Sequence, residues 1–368
     1  MNFKFTVIGA GPAGIITVCQ LLKNNLTSIA WVDPQFNCGA LNQFTHIPSN
    51  TKIQLFLNTL KNMGWVENHK EIDDPAEIFK NFDPNTTCEL GLSYEMFKKV
   101  MVILDQTCKG RIVKMESVVE KIENLEHTNK ITLKNNCQFE SEYVFHCTGS
   151  KRNTIDSVDG SLFKVYPHLK EIDLYDAMSP EDVHQHITNE DTVCIFGNSH
   201  SGILAAMNLY NSPNRPKHIY IFQRRPIILA EYLADGKIMN DSTGLKGRVA
   251  EWAKNILIGQ KPKCISEIDS AEYKNYLQLC TKVVVATGFQ RNTLPIIQIN
   301  DMELIDNKIH YDDENMTLVY GGREISNNFG FGIAFPEKVL DANGSYQHAV
   351  GFYKFMLTIT KVITKLQN

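Results

Sequence analysis

No Cys-x-x-Cys pair occurs in this 368-residue chain, and its nine cysteines, at positions 19, 38, 88, 108, 137, 147, 194, 264 and 280, have no regular spacing. An odd, irregular set argues against a disulfide framework and fits a reducing, cytosolic setting; it also removes a redox dithiol as a route for electrons. No apolar run approaches the roughly 18 residues that a membrane span needs, and the N-terminus enters a strand pattern without a basic-then-apolar leader. A soluble, unprocessed, cytoplasmic chain is expected. Charge of one sign is missing too: 37 Lys and Arg face 41 Asp and Glu, a formal net charge of −4, with the basic residues scattered. That gives no stripe to neutralise a phosphate backbone, so nucleic acid is not expected as a partner. No Ser-His-Asp set, metal-ligand cluster or paired carboxylates stand out, and no metal site is expected.

Two glycine-rich turns are present, Gly9-Ala10-Gly11-Pro12-Ala13-Gly14 and Gly197-Asn198-Ser199-His200-Ser201-Gly202, each preceded by an apolar β-branched run. The first belongs to a strand (Phe3 to Ile8), turn, helix (Ile15 to Lys23) and strand (Ser28 to Val32) that stops at Asp33-Pro34. In such a unit the first glycine allows a tight turn, the second lets backbone approach a pyrophosphate and the third lets helix pack on strand, while the helix N-terminus faces the anion. Asp33 is placed to accept from a ribose hydroxyl, although Asp before Pro also initiates ordinary turns.

The second unit runs from Thr192 to Phe196, through its turn, along Ile203 to Leu209 and into His218 to Phe222. Arg224 and Arg225 follow in place of an acid, which suits the 2′-phosphate of NADP(H). His200, inside the turn, is a candidate to contact the nucleotide. Each unit is followed, a domain's length later, by a strand ending in Thr-Gly: Thr148-Gly149 after the first, Thr287-Gly288 after the second. Two bound dinucleotides are expected, the second of them NADPH. The fold expected is α/β, two Rossmann-like three-layer domains with the second unit's domain inserted in the first: 1–160 and 281–368 for the first, 161–280 for the insert. Residues 154–180 read as linker, 266–280 as an irregular crossing, and 348–366 as a closing helix with one apolar face.

These motifs together resemble the two-dinucleotide-binding-domain flavoproteins over most of the chain, in which an FAD domain receives an inserted NAD(P)H domain; the resemblance implies FAD on the first unit, 1–160 and 281–368, and NADPH on the insert, 161–280. Gly197 to Gly202 with Arg224, and Ala286-Thr287-Gly288-Phe289, resemble segments of class B flavin monooxygenases. Ser49-Asn50-Thr51-Lys52 is similar to the short Asn-containing segment of flavin-containing monooxygenases that lies beside the reactive flavin edge. By that resemblance Asn50 is the catalytic candidate, since an amide can both donate to an oxygenated flavin and accept from its N5–H without titrating. The resemblance further implies that Val119 lies where backbone holds adenine. It also implies that amides of Gly330 or Gly332 serve where disulfide-reductase relatives use a Gly-Asp pair. Its implied activity is oxygenation of a small amine or sulfide with O2 through a C4a-hydroperoxyflavin.

Departures exist. Phe163 to His168 only loosely matches the F-x-G-x-x-x-H motif of the group, which weakens a Baeyer–Villiger assignment. Two other readings stand beside the monooxygenase: a flavin reductase serving a small disulfide, quinone or protein, and a non-catalytic flavoprotein. Bacillithiol-disulfide reductases place a Cys where this chain has Ala13, which counts against the former. His146 reads as a packed core residue, His46 and Cys38 lack catalytic partners, and Tyr232, Asp235 and Asp241 read as a solvated polar segment. Oligomeric state is not readable.

Overall fold

A computed structural model describes residues 1–233, 238–340 and 344–367. Asp235 lies outside them. The larger sheet is built on the parallel neighbours Ile112–Glu116, Ile29–Asp33, Asn2–Ile8 and Gln138–His146. Ile29–Asp33 and the last four residues of Asn2–Ile8 are buried on both faces, as befits a sheet covered on both sides. Phe5, Val7, Ile29 and Trp31 pack with the helices Pro12–Lys23, Leu90–Thr107 and Phe352–Lys365, whereas Ile8, Ala30 and Val32 pack with Val119, Ile122 and Ile131 of an antiparallel meander. The meander comprises Val119–Leu125, Thr128–Leu133 and the first half of Gln138–His146. The helix expected near the C-terminus is Phe352–Lys365, and its buried face (Phe355, Met356, Ile359, Val362, Ile363) joins this core.

The second sheet has five parallel strands among the described residues, in the order Lys170–Glu171, Lys282–Val285, Thr192–Phe196, His218–Gln223, Ile265–Asp269. One face packs on the helix His200–Asn211 through Val193, Ile195, Ile219 and Val284; the other, through Cys194, Phe196 and Val285, packs with Ile155 and Leu277. Between the sheets runs an antiparallel ribbon, Ser150–Arg152 with Phe289–Arg291. After it the chain rejoins the larger sheet, where Ile296–Ile299 pairs with Val119–Leu125 and Arg323–Gly330 with Gln138–His146.

Three sequence expectations need correcting. Residues 154–180 are not simply linker, because Lys170–Glu171 is an edge strand of the second sheet and Leu174–Met178 a helix in its core. Residues 266–280 begin inside the opposite edge strand, Ile265–Asp269. The boundary at 281 cuts off Lys282–Val285, which pairs on both sides within the second sheet; its buried valines complete that sheet rather than the first.

Candidate functional site

The two glycine turns have the same construction. Gly9 has φ +107°, and a Cβ there would fall 2.3 Å from the Cys147 carbonyl oxygen; Gly197 has φ +109°, and its Cβ would fall 2.3 Å from that of Ala286. A Cβ on Gly14 would lie 2.0 Å from the Gly9 oxygen, and one on Gly202 2.0 Å from the Gly197 oxygen. In each unit the next strand's end presses on the first glycine and the helix closes on the turn, which only glycine permits. At Gly11, by contrast, a Cβ would find protein no nearer than 3.9 Å, so space lies over the start of the first helix. Neither helix has a side-chain cap, with Gly11 and Ser199 as N-caps and Pro12 opening the first helix. The amides of Ala13 and Gly14, and of Ser201 and Gly202, are thereby left to an anion. The residues present fit a pyrophosphate at each turn.

Around the first turn, Asp33 ends its strand buried. Its Oδ2 accepts from the Ala10 amide at 2.8 Å, while Oδ1 accepts from Gln35 (2.8 Å) and Phe36 (2.7 Å). These bonds are those of a turn-initiating Asp, and Oδ2 keeps acceptor capacity that a ribose hydroxyl could use. Val119 is buried at the start of the meander against Ile8 and Val32. Thr148 and Gly149 are clamped by Asn292, whose Nδ2 donates to the Thr148 oxygen at 2.8 Å and whose amide donates to the Gly149 oxygen at 3.1 Å. Gly332 packs against Ala13, where a Cβ would come within 2.6 Å of the alanine methyl. Gly330 must be corrected: its amide already donates to the Met316 oxygen at 2.9 Å, and the glycine is explained by the Phe335 ring, 2.3 Å from where a Cβ would be.

The second turn opens into a cavity of about 1250 Å³ between the sheets, lined by Gly197, Ser199, His200, Ser201, Arg224, Arg225, Thr287 and Gly288 from one side and by Asn50 and Lys52 from the other. Both arginines are exposed at its edge. Asn198 anchors the backbone that carries them, its Nδ2 donating to Gln223 Oε1 at 3.0 Å and to the Arg225 backbone oxygen at 2.7 Å. Asn153, beyond the ribbon, donates to the Thr287 oxygen (3.3 Å) and hydroxyl (3.2 Å). Asn50 is exposed on the strand Pro48–Lys52, and its Oδ1 accepts from Thr51 Oγ1 at 3.3 Å. His200 bridges the two sides: Nε2 lies 3.2 Å from the Pro48 oxygen, and Nδ1 is buried without a partner in the structure. Burial holds its pKa below the ordinary histidine value, with the Pro48 bond opposing, so the ring is a neutral Nε2–H donor to the carbonyl.

His146 is fully buried, Nε2 3.0 Å from Asn328 Oδ1, and burial drives its pKa down to about 4, the core role its strand position suggested. Cys38 and Cys147, near the first turn, are pushed up to about 12 by burial and are protonated, inert thiols. Asp241, read from the sequence as part of a solvated polar segment, is instead ion-paired and partly buried in a cluster that sequence reasoning missed. Asp241 accepts from Lys246 and from Lys354 (Oδ2 to Nζ, 2.5 Å), tying the segment that follows His218–Gln223 to the C-terminal helix. Burial works to raise the Asp241 carboxyl, but the two lysine bonds outweigh it and hold its pKa below the usual range; burial lowers that of Lys246 against the pull of Asp241. Three distant stretches of the chain, through Lys52, the pair Asp241 and Lys246, and Lys354, thus share the cavity wall, and no local signal could have grouped them.

No known family profile matches the chain. The monooxygenase AgnR1 of Paecilomyces divaricatus is 29% identical over 393 residues, spanning 97% of this chain and 96% of that protein. Among solved structures, bacillithiol disulfide reductase from Bacillus cereus superposes with TM-score 0.58 at 14% identity, covering 100% of this chain and 99% of the other. Ornithine hydroxylase from Pseudomonas aeruginosa gives 0.57 at 9% identity, with 100% and 99% covered. A cyclohexanone monooxygenase mutant from Rhodococcus sp. Phi1, bound to NADP+, gives 0.56 at 12% identity, with 100% and 86% covered. The fold is that of the two-dinucleotide-binding-domain flavoproteins. Among the described residues, no helix is long and apolar enough to cross a membrane.

Proposed function

We propose that the chain is an FAD-dependent, NADPH-consuming monooxygenase that transfers one oxygen atom of O2 to a small amine or sulfide. The observation that carries this reading is a cavity in which Asn50, on the first domain, faces the second glycine turn and its arginines. The full-length relative named a monooxygenase supports it. In this reading FAD lies along the first turn, with Gly9, Gly11, Pro12, Ala13 and Gly14 at its pyrophosphate and Asp33, Val119, Thr148, Gly149 and Gly332 around it. NADPH lies along the second, with Gly197, Ser199, His200, Ser201, Gly202, Thr287 and Gly288 about it and Arg224 or Arg225 on its 2′-phosphate. The nucleotide domains are the two sheets, the second inserted at the ribbon.

Bound FAD supplies two-electron chemistry with NADPH and with O2. The protein's residues bind, orient and shield. The uncapped helix starts take the pyrophosphates, and the arginines select the phosphorylated nucleotide. His200 holds the NADPH turn against Pro48, two residues from Asn50, and the Asn50 amide offers both donor and acceptor at the reacting edge without changing charge. Overall, NADPH, H+, O2 and the substrate give NADP+, water and the oxygenated product: two electrons from NADPH reduce one oxygen atom to water, and the other enters the substrate. A reductase passing electrons through a thiol is disfavoured, because Ala13 occupies the turn and Cys38 and Cys147 are protonated. Anaerobic NADPH should bleach the protein-bound flavin, and oxygenated product formed under 18O2 from an amine or sulfide should carry one heavy atom. Bleaching followed by electron delivery to a disulfide or quinone, with no oxygenated product, would refute the reading.

A further inference from the structure

The cavity wall built from Lys52, Tyr232, Asp241, Ser242, Lys246 and Lys354 has a surplus of positive charge. Three ammonium groups face one carboxylate among these residues. Asp241 accepts from Lys246 and Lys354, and Lys354 also donates to Ser242 Oγ at 3.2 Å. Each ammonium has three donors, so among the described residues this wall retains N–H groups without a partner. Lys52 stands over the Tyr232 ring, its Nζ 4.6 Å from the centroid, which offers an attraction but no counter-charge. Lys246 is buried and Lys354 partly so. Charge of one sign held away from water is costly unless an anion shares the site. The nucleotide does not call for this wall: the pyrophosphate has the uncapped helix start, and the 2′-phosphate has the arginine pair.

Resting on the monooxygenase reading, we infer that this wall is a carboxylate subsite, so that the amine or sulfide oxygenated here bears a carboxylate. Lys52 and Lys354 hold that carboxylate, while Asp241 keeps Lys246 and Lys354 in place and stops the wall from repelling itself. Because Lys52 is two residues from Asn50 on one strand, the subsite fixes the distance between the substrate's anionic end and the reacting edge.

The test is calorimetric titration of the full chain, with its FAD and saturating NADP+, using 3-(methylthio)propionate and its methyl ester. The acid is expected to bind at least about tenfold more tightly than the ester, the size of one charge-assisted hydrogen bond. In Lys52→Gln and in Lys354→Gln the acid is expected to fall to the affinity of the ester, while NADP+ affinity is unchanged. Equal binding of acid and ester by the unmodified protein would overturn the subsite. So would a loss of NADP+ affinity in both variants with the acid preference intact, because the wall would then serve the nucleotide. The titration needs no turnover: selective binding by a protein that forms no oxygenated product would keep the subsite and refute the monooxygenase.

Discussion

His200 Nε2 lies 3.2 Å from the carbonyl oxygen of Pro48, so a side chain of the second glycine turn is bonded to the strand that carries Asn50. The second glycine turn and the strand carrying Asn50 are therefore mechanically joined. His200→Ala is expected to slow flavin reduction by NADPH roughly tenfold, the scale of a lost bond to a buried carbonyl, while FAD stays bound. Stopped-flow bleaching checks this; an unchanged rate would show that the bond positions nothing.

The arginines at the cavity edge should set nucleotide choice. Removing a charge-assisted phosphate contact costs about 1.5–3 kcal/mol, or roughly tenfold to a hundredfold. Arg224→Ala or Arg225→Ala should raise the KM for NADPH by that factor and leave the KM for NADH nearly unchanged. If both variants keep the original preference, the arginines form only a solvated turn.

Glycine contacts allow the two nucleotides to be removed separately. Gly202→Ala places a Cβ 2.0 Å from the Gly197 oxygen, and Gly14→Ala does the same against Gly9. The first variant should remain yellow but resist NADPH reduction; the second should purify without flavin. Absorbance of the purified proteins checks both, and a Gly14→Ala protein with full flavin content would contradict the assignment of the first turn.

Much of this was legible in the sequence because it is local. Each glycine turn, with its preceding strand and following helix, lies within a short stretch whose spacing carries the geometry. The edge strands Lys170–Glu171 and Ile265–Asp269 were not legible: the first has two residues, the second is half exposed with charge among its apolar positions, and neither makes an apolar run. Gly330 misled because a glycine near a flavin suggests a free amide, whereas Met316 takes that amide and Phe335 requires the missing side chain. The lysine wall around Asp241 exists only after folding.

Stability should report the buried His146. Its folded pKa of about 4 lies below the unfolded value of about 6.5, so as pH falls through that window the unfolded chain takes up a proton that the folded chain refuses. The stability present above pH 6.5 is lost progressively, by about 3 kcal/mol at pH 4 from this residue. Denaturant titrations of the unmodified protein and of His146→Gln should differ in slope by about one proton across this range. Parallel pH dependences would mean that the histidine is protonated in the fold.

Asn50 bears the central claim, that this cavity stabilises activated oxygen rather than passing electrons onward. The direct measurement follows O2 consumption and hydrogen peroxide release together after the NADPH-reduced protein is mixed with oxygenated buffer without substrate. In the unmodified protein peroxide should lag well behind O2 uptake, and in Asn50→Ala, with FAD retained, the lag should collapse. Simultaneous uptake and release in the unmodified protein, or an unaltered lag in the variant, would contradict the account.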